Sequence, residues 1–95
     1  MPYEKEGVGN NCPKDVMITS QGTCEHALRS LGLNRTNLLV NGNNRPAGCY
    51  WKPGGKGFFN HNVNPTLTDP KLFHTRGGVC LKWGKINLLG ALQQQ

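Results

Sequence analysis

No apolar run in this chain approaches the ~20 residues that a membrane-spanning helix needs, so no transmembrane segment is expected. Acids are scarce. Five face eleven lysines and arginines, and none lies between Glu25 and Asp69. The chain opens on Met1-Pro2-Tyr3-Glu4-Lys5-Glu6, charged and with no apolar core behind it, so no secretory leader is expected within it. The cysteines never form a CxxC pair, which disfavours a thioredoxin-type redox motif and the close ligand pairs that pre-organise structural zinc. The phosphate-cradling pattern GxxxxGK[ST] is missing, as is the dinucleotide pattern GxGxxG. There is no heptad pattern and no internal repeat.

What is present is turn-forming and positively charged. Thirteen glycines and eleven asparagines favour short regular elements joined by ordered turns, because both residue types suit left-handed and turn backbone better than helix or strand interiors. A chain of 95 residues holds one modest core and commonly needs a staple, a metal or a partner. Cys12, Cys24, Cys49 and Cys80 are spaced to supply staples, which places the protein in an oxidising compartment, organelle lumen or extracellular. Of three possible pairings, Cys12–Cys80 with Cys24–Cys49 closes the body near both ends and ties a helix to a hairpin. The sequential pairing Cys12–Cys24 with Cys49–Cys80 stays open on sequence alone.

The patterning predicts a small α+β disulfide-stabilised domain, with one short helix packed on a small antiparallel sheet and long ordered loops. Residues 1–11 read as a flexible or partner-bound arm, 12–83 as the stapled domain and 84–95 as an apolar tail. Val16-Met17-Ile18 reads as a short extended run. Thr19 or Ser20 can cap a helix in which Cys24, Ala27, Leu28 and Leu31 share one face, with Gly32 ending it. Leu38-Leu39-Val40 reads as extended. Ala47 to Trp51 and Gly57 to Asn60 read as a hairpin around Pro53-Gly54-Gly55-Lys56, and residues 61–72 as an irregular loop. Gly78 to Trp83 alternates as a last strand.

Chemistry is sparse. Glu25-His26 are neighbours on a helix and so point apart, Asp15 and Asp69 lack a partner carboxylate, and no two of His26, His61 and His74 share a helical turn. No catalytic residues, metal or cofactor are expected. Tyr50, Trp51, Lys52, Lys56 and Phe58 form a basic-aromatic cluster around the hairpin, a candidate interaction surface whose alternative use is an anionic ligand such as nucleic acid or acidic glycan. Packing competes for those aromatics, and nucleic acid is the disfavoured partner. Leu88, Leu89 and Leu92 give the tail an apolar face that either completes the core or docks on a neighbour. Asn34-Arg35-Thr36 is a glycosylation sequon, relevant if the chain enters the secretory pathway.

The series Cys12-Pro13, Ile18-Thr19, Cys24 with Ala27 and Leu31-Gly32-Leu33, then Pro46-Ala47-Gly48-Cys49-Tyr50, Phe58-Phe59-Asn60 and Cys80 resembles a small four-cysteine module. Such modules occur in extracellular or organelle-lumenal proteins of dinoflagellates and other algae. The resemblance covers Asn10 to Cys80, and its motifs gain specificity only in combination. It implies a non-catalytic structural or protein-interaction unit, such as a small accessory subunit on the thylakoid-lumen side of an algal photosynthetic complex. The partner would be a larger protein or membrane-protein complex with an acidic or apolar docking surface. The apolar extension after Cys80 departs from the bare module and suits such docking.

Overall fold

The computed structural model describes residues 2–36 and 38–82; Trp83 and the tail, with Leu88, Leu89 and Leu92, lie outside the described residues. One α-helix, α1 (Gln21–Ser30), packs on a five-stranded sheet of β1 (Tyr3–Lys5), β2 (Asn34–Arg35), β3 (Gly48–Lys52), β4 (Lys56–Asn60) and β5 (Gly77–Leu81). The strand order is β1-β5-β3-β4-β2. All pairings are antiparallel except β2 with β4, which makes the sheet mixed.

The helix forms where its caps and its apolar spacing agree. The Ser20 hydroxyl accepts the Thr23 N–H at 3.2 Å, and at the other end the Gly32 and Leu33 N–H groups return to the Arg29 and Leu28 carbonyls. Cys24, Ala27 and Leu28 face inward and pack with Ile18, Leu33, Cys49 and Val79. Burial of a Leu28-sized side chain contributes about 1.5–3 kcal/mol. Gly57 leaves room beneath it: a Cβ there would run into the Leu28 side chain, which would have to shift within the core.

The strand period of two divides the remaining side chains. Cys49, Trp51, Phe59 and Val79 lie on the helix side. On the opposite side, two smaller clusters form: Cys12, Met17, Ala47 and Cys80, and separately Val40, Tyr50 and Phe58. The disulfides are Cys24–Cys49 and Cys12–Cys80, so each face of the sheet carries one staple. The first ties α1 to the central strand, and the second ties the segment entering the body to β5.

One expectation needs correction and two need refinement. The arm at 1–11 is not detached, because Tyr3–Lys5 pairs with Val79–Leu81 as an edge strand, and Glu6 and Gly9 donate to the Gly78 and Arg76 carbonyls. A three-residue strand has too little pattern of its own to reveal a partner more than seventy positions away. Val16-Met17-Ile18 is extended only in part: Val16 closes the 3-10 turn Lys14–Val16, and the extended Met17 makes an isolated bridge to Cys80. Leu38-Leu39-Val40, read as extended, forms no continuous strand: after Asn34–Arg35 pairs with Lys56 and Gly57, the chain meets β4 again only at Val40, which bridges to Asn60.

The asparagines do more than turn the chain. The side-chain oxygens of Asn60, Asn62 and Asn64 accept the N–H groups of Asn62, Asn64 and Thr66 at 3.0–3.1 Å, so successive Asx turns replace a ladder where β4 ends.

Candidate functional site

The open part of the sheet face away from α1 forms a groove of about 420 Å³. Its floor is set by strand register. Tyr50 on β3 and Phe58 on β4 are directly opposite one another and stack with ring centroids 5.0 Å apart, flanked by Val40. Leu38 adds an apolar wall.

Five cationic side chains line this groove: Arg35, Arg45, Lys52, Lys56 and Arg76. Among the described residues no carboxylate lines it. The acid-free stretch between Glu25 and Asp69 therefore becomes a local field, because β2, the loop before β3 and the β3–β4 hairpin all deliver their charge to one place. Arg76, which precedes β5, joins them from elsewhere in the chain. Lys52 and Lys56 are direct cross-strand partners, and like charges so placed destabilise a sheet. The one ion pair among the described residues, Glu25–Arg35 at 3.0 Å, turns part of Arg35's charge back toward the helix. Arg45 donates to the neutral side-chain oxygen of Asn44 at 3.1 Å and also acts on the Tyr50 hydroxyl, and among the described residues it has no carboxylate partner. An anion entering the groove would offset repulsion that the protein itself leaves standing.

Burial pushes the Tyr50 phenol above its ordinary 10.0, with Arg45 and Arg76 acting in the opposite sense. Its hydroxyl therefore stays protonated at neutral pH and adds no negative charge to the floor.

Asn60 holds the loop that carries Arg45. Its amide accepts from the Gly42 N–H at 3.1 Å and donates to the Gly42 and Pro46 carbonyls at 2.9 and 3.0 Å, all at a fully buried position. Asn60→Ala is expected to cost about 2–4 kcal/mol through buried groups left without partners, and to weaken whatever the groove binds. Urea denaturation of variant and parent checks the first expectation. An unchanged midpoint would show that water replaces the amide without loss.

The predicted basic-aromatic cluster is divided by the sheet. Tyr50, Lys52, Lys56 and Phe58 reach the groove, but Trp51 lies on the helix side, where its Nε1–H donates to the Glu6 carbonyl at 2.8 Å and Lys5 sits over its ring. The aromatics that do reach the groove are closed in: Tyr50 is 1% and Phe58 9% exposed, so neither offers a free ring face for a base or sugar to stack on. Arg35, Arg45 and Arg76 belong to the acid-free basic stretches visible in the sequence, but only the fold brings them to the hairpin's cluster. Asn34 is exposed on β2 and lines the groove.

Elsewhere, the Glu25-His26 neighbours diverge, Glu25 to Arg35 and His26 to the Tyr3 hydroxyl at 2.9 Å. Among the described residues no three of His, Cys, Asp and Glu are grouped to hold a metal ion, and all four cysteine sulfurs are consumed in disulfides. No helix among them is long and apolar enough to cross a membrane. No family model, curated protein or solved structure matches the chain. The disulfide-stabilised fold is consistent with a structural or interaction module, and the two disulfides with an oxidising compartment.

Proposed function

We propose that this protein is a non-catalytic interaction module that docks onto an anionic partner through the basic groove. The observation that carries the reading is the convergence of five cationic side chains on one concavity that, among the described residues, no carboxylate lines. A field of one sign in a low-dielectric recess raises the local concentration of an oppositely charged partner and steers its approach. Self-association is the weaker use of such a face, since a second copy brings another net charge of +6.

A salt titration with poly-glutamate as the probe tests it. Affinity is expected to fall roughly tenfold or more as salt rises from about 50 to 200 mM, as for other ligands held by several charge contacts. The double variant Arg45→Glu, Lys52→Glu is expected to abolish binding without unfolding the protein, since neither side chain is in the core. Binding that is absent even at low salt, or unaffected by the double variant, removes the groove as the docking site.

A narrower reading makes the chain a small accessory subunit of a larger assembly, on the lumenal side of an algal photosynthetic complex. The sequence resemblance and the apolar tail support it. It is compatible with the groove, because an accessory subunit with both features has two points of attachment.

A further inference from the structure

The groove is not uniformly polar, and that distinguishes among anionic partners. Its cations stand around an apolar wall and floor made by Leu38, Val40, Tyr50 and Phe58. Leu38 is 67% exposed and its neighbour Leu39 83%, so two large apolar side chains stand in solvent beside a ring of positive charge. A sulfated glycan or a nucleic acid backbone satisfies the cations and leaves these leucines wet. Nucleic acid has the further difficulty that Tyr50 and Phe58 are stacked on each other and covered, so no open ring face awaits a base. A polypeptide that alternates carboxylates with apolar side chains satisfies both parts of the surface. This chain does not contain such a segment: its five acids are Glu4, Glu6, Asp15, Glu25 and Asp69, and none lies in the apolar tail.

We infer that the groove receives an acidic peptide segment of a partner protein, with its carboxylates on Arg45, Lys52, Lys56 and Arg76 and an apolar side chain against the exposed Leu38. This rests on the groove being the docking site and adds the class of ligand. Recognition then has two separable parts. Charge brings the segment in and is sensitive to salt, whereas apolar contact supplies preference among equally charged segments.

The test compares three synthetic peptides of equal length on the intact protein by fluorescence anisotropy: Glu alternating with Leu, Glu alternating with Ser, and Gln alternating with Leu. Heparin and single-stranded DNA serve as polyanion controls. The Glu/Leu peptide is expected to bind about tenfold tighter than Glu/Ser, the gain from burying one or two apolar side chains. The Gln/Leu peptide is expected not to bind. Leu38→Ser, a change at an exposed position that leaves the core intact, is expected to bring Glu/Leu affinity down to that of Glu/Ser. Equal affinity for Glu/Leu and Glu/Ser, or tighter binding of heparin or DNA than of Glu/Leu, overturns the peptide assignment while leaving an anion-binding groove. Failure of every anionic probe overturns the groove itself.

Discussion

Replacing Cys12 and Cys80 together by alanine is expected to destabilise the protein by about 4 kcal/mol, and replacing Cys24 and Cys49 by about 3–4 kcal/mol. The separations, 68 and 25 positions, set this order under the loop-entropy description, because the longer closure removes more freedom from the unfolded chain. The bonds are nested, so the inner one already shortens the path that the outer one closes, and the two effects should sum to less than additive. Even so, a domain of this size has roughly 5–15 kcal/mol of total stability, and loss of both bonds is expected to leave little or no folded protein. Urea unfolding of the parent, both paired variants and the reduced protein measures this. The two faces of the sheet give the variants different consequences. Loss of Cys24–Cys49 frees α1 from β3 and should expose the helix-side core, while loss of Cys12–Cys80 releases the segment that covers the other face next to the groove. A larger loss from the shorter loop would show that strain or residual structure outweighs chain entropy.

Gly48→Ala carries the second large effect. Gly48 opens β3 with φ +68°, in the left-handed region, and a Cβ there would strike the Ile18 carbonyl oxygen while approaching Met17 Cγ to 3.4 Å. The backbone conformation alone costs a non-glycine residue about 1–2 kcal/mol. Overpacking against a fixed carbonyl adds about 1–3 kcal/mol, since the 17–18 segment is held by the Met17–Cys80 bridge and cannot simply move away. A drop in Tm of more than about 10 °C is expected. Gly54→Ala separates the two terms: its φ is +103° but nothing lies within 4 Å of the added methyl, so it should pay only the conformational part. Equal losses at both positions would mean that the Ile18 contact relaxes freely and that the backbone angle alone makes glycine necessary at position 48.

Much of the fold was legible because its signals are local. The Cys24-Ala27-Leu28 stripe sits within one helix, and Ser20 before it and Gly32 after it mark its ends. The β3–β4 hairpin needed only two short runs flanking a Pro-Gly-Gly turn, and it forms at Gly48–Lys52 and Lys56–Asn60. The elements that were less legible depend on distant partners. Tyr3–Lys5 becomes a strand only because β5 presents a free edge, and along β4 the chain pairs at Asn34–Arg35 and again at Val40, leaving Leu38 and Leu39 exposed between.

The candidate site divides in the same way. Sequence alone determined that this is a basic, turn-rich chain with four cysteines spaced as staples, one capped helix and one aromatic hairpin. Its long acid-free stretch already announced a surface without internal charge compensation. Tertiary structure decided where that charge collects. Side-chain direction in a strand alternates with each residue, so register alone sends Trp51 to the helix and Tyr50, Lys52, Lys56 and Phe58 to the other face. Arg76 joins Arg45 there only because β5 pairs with β3, a contact between segments with no shared local pattern. Cations scattered along a sequence are a solvated surface; the sheet turns these five into a groove.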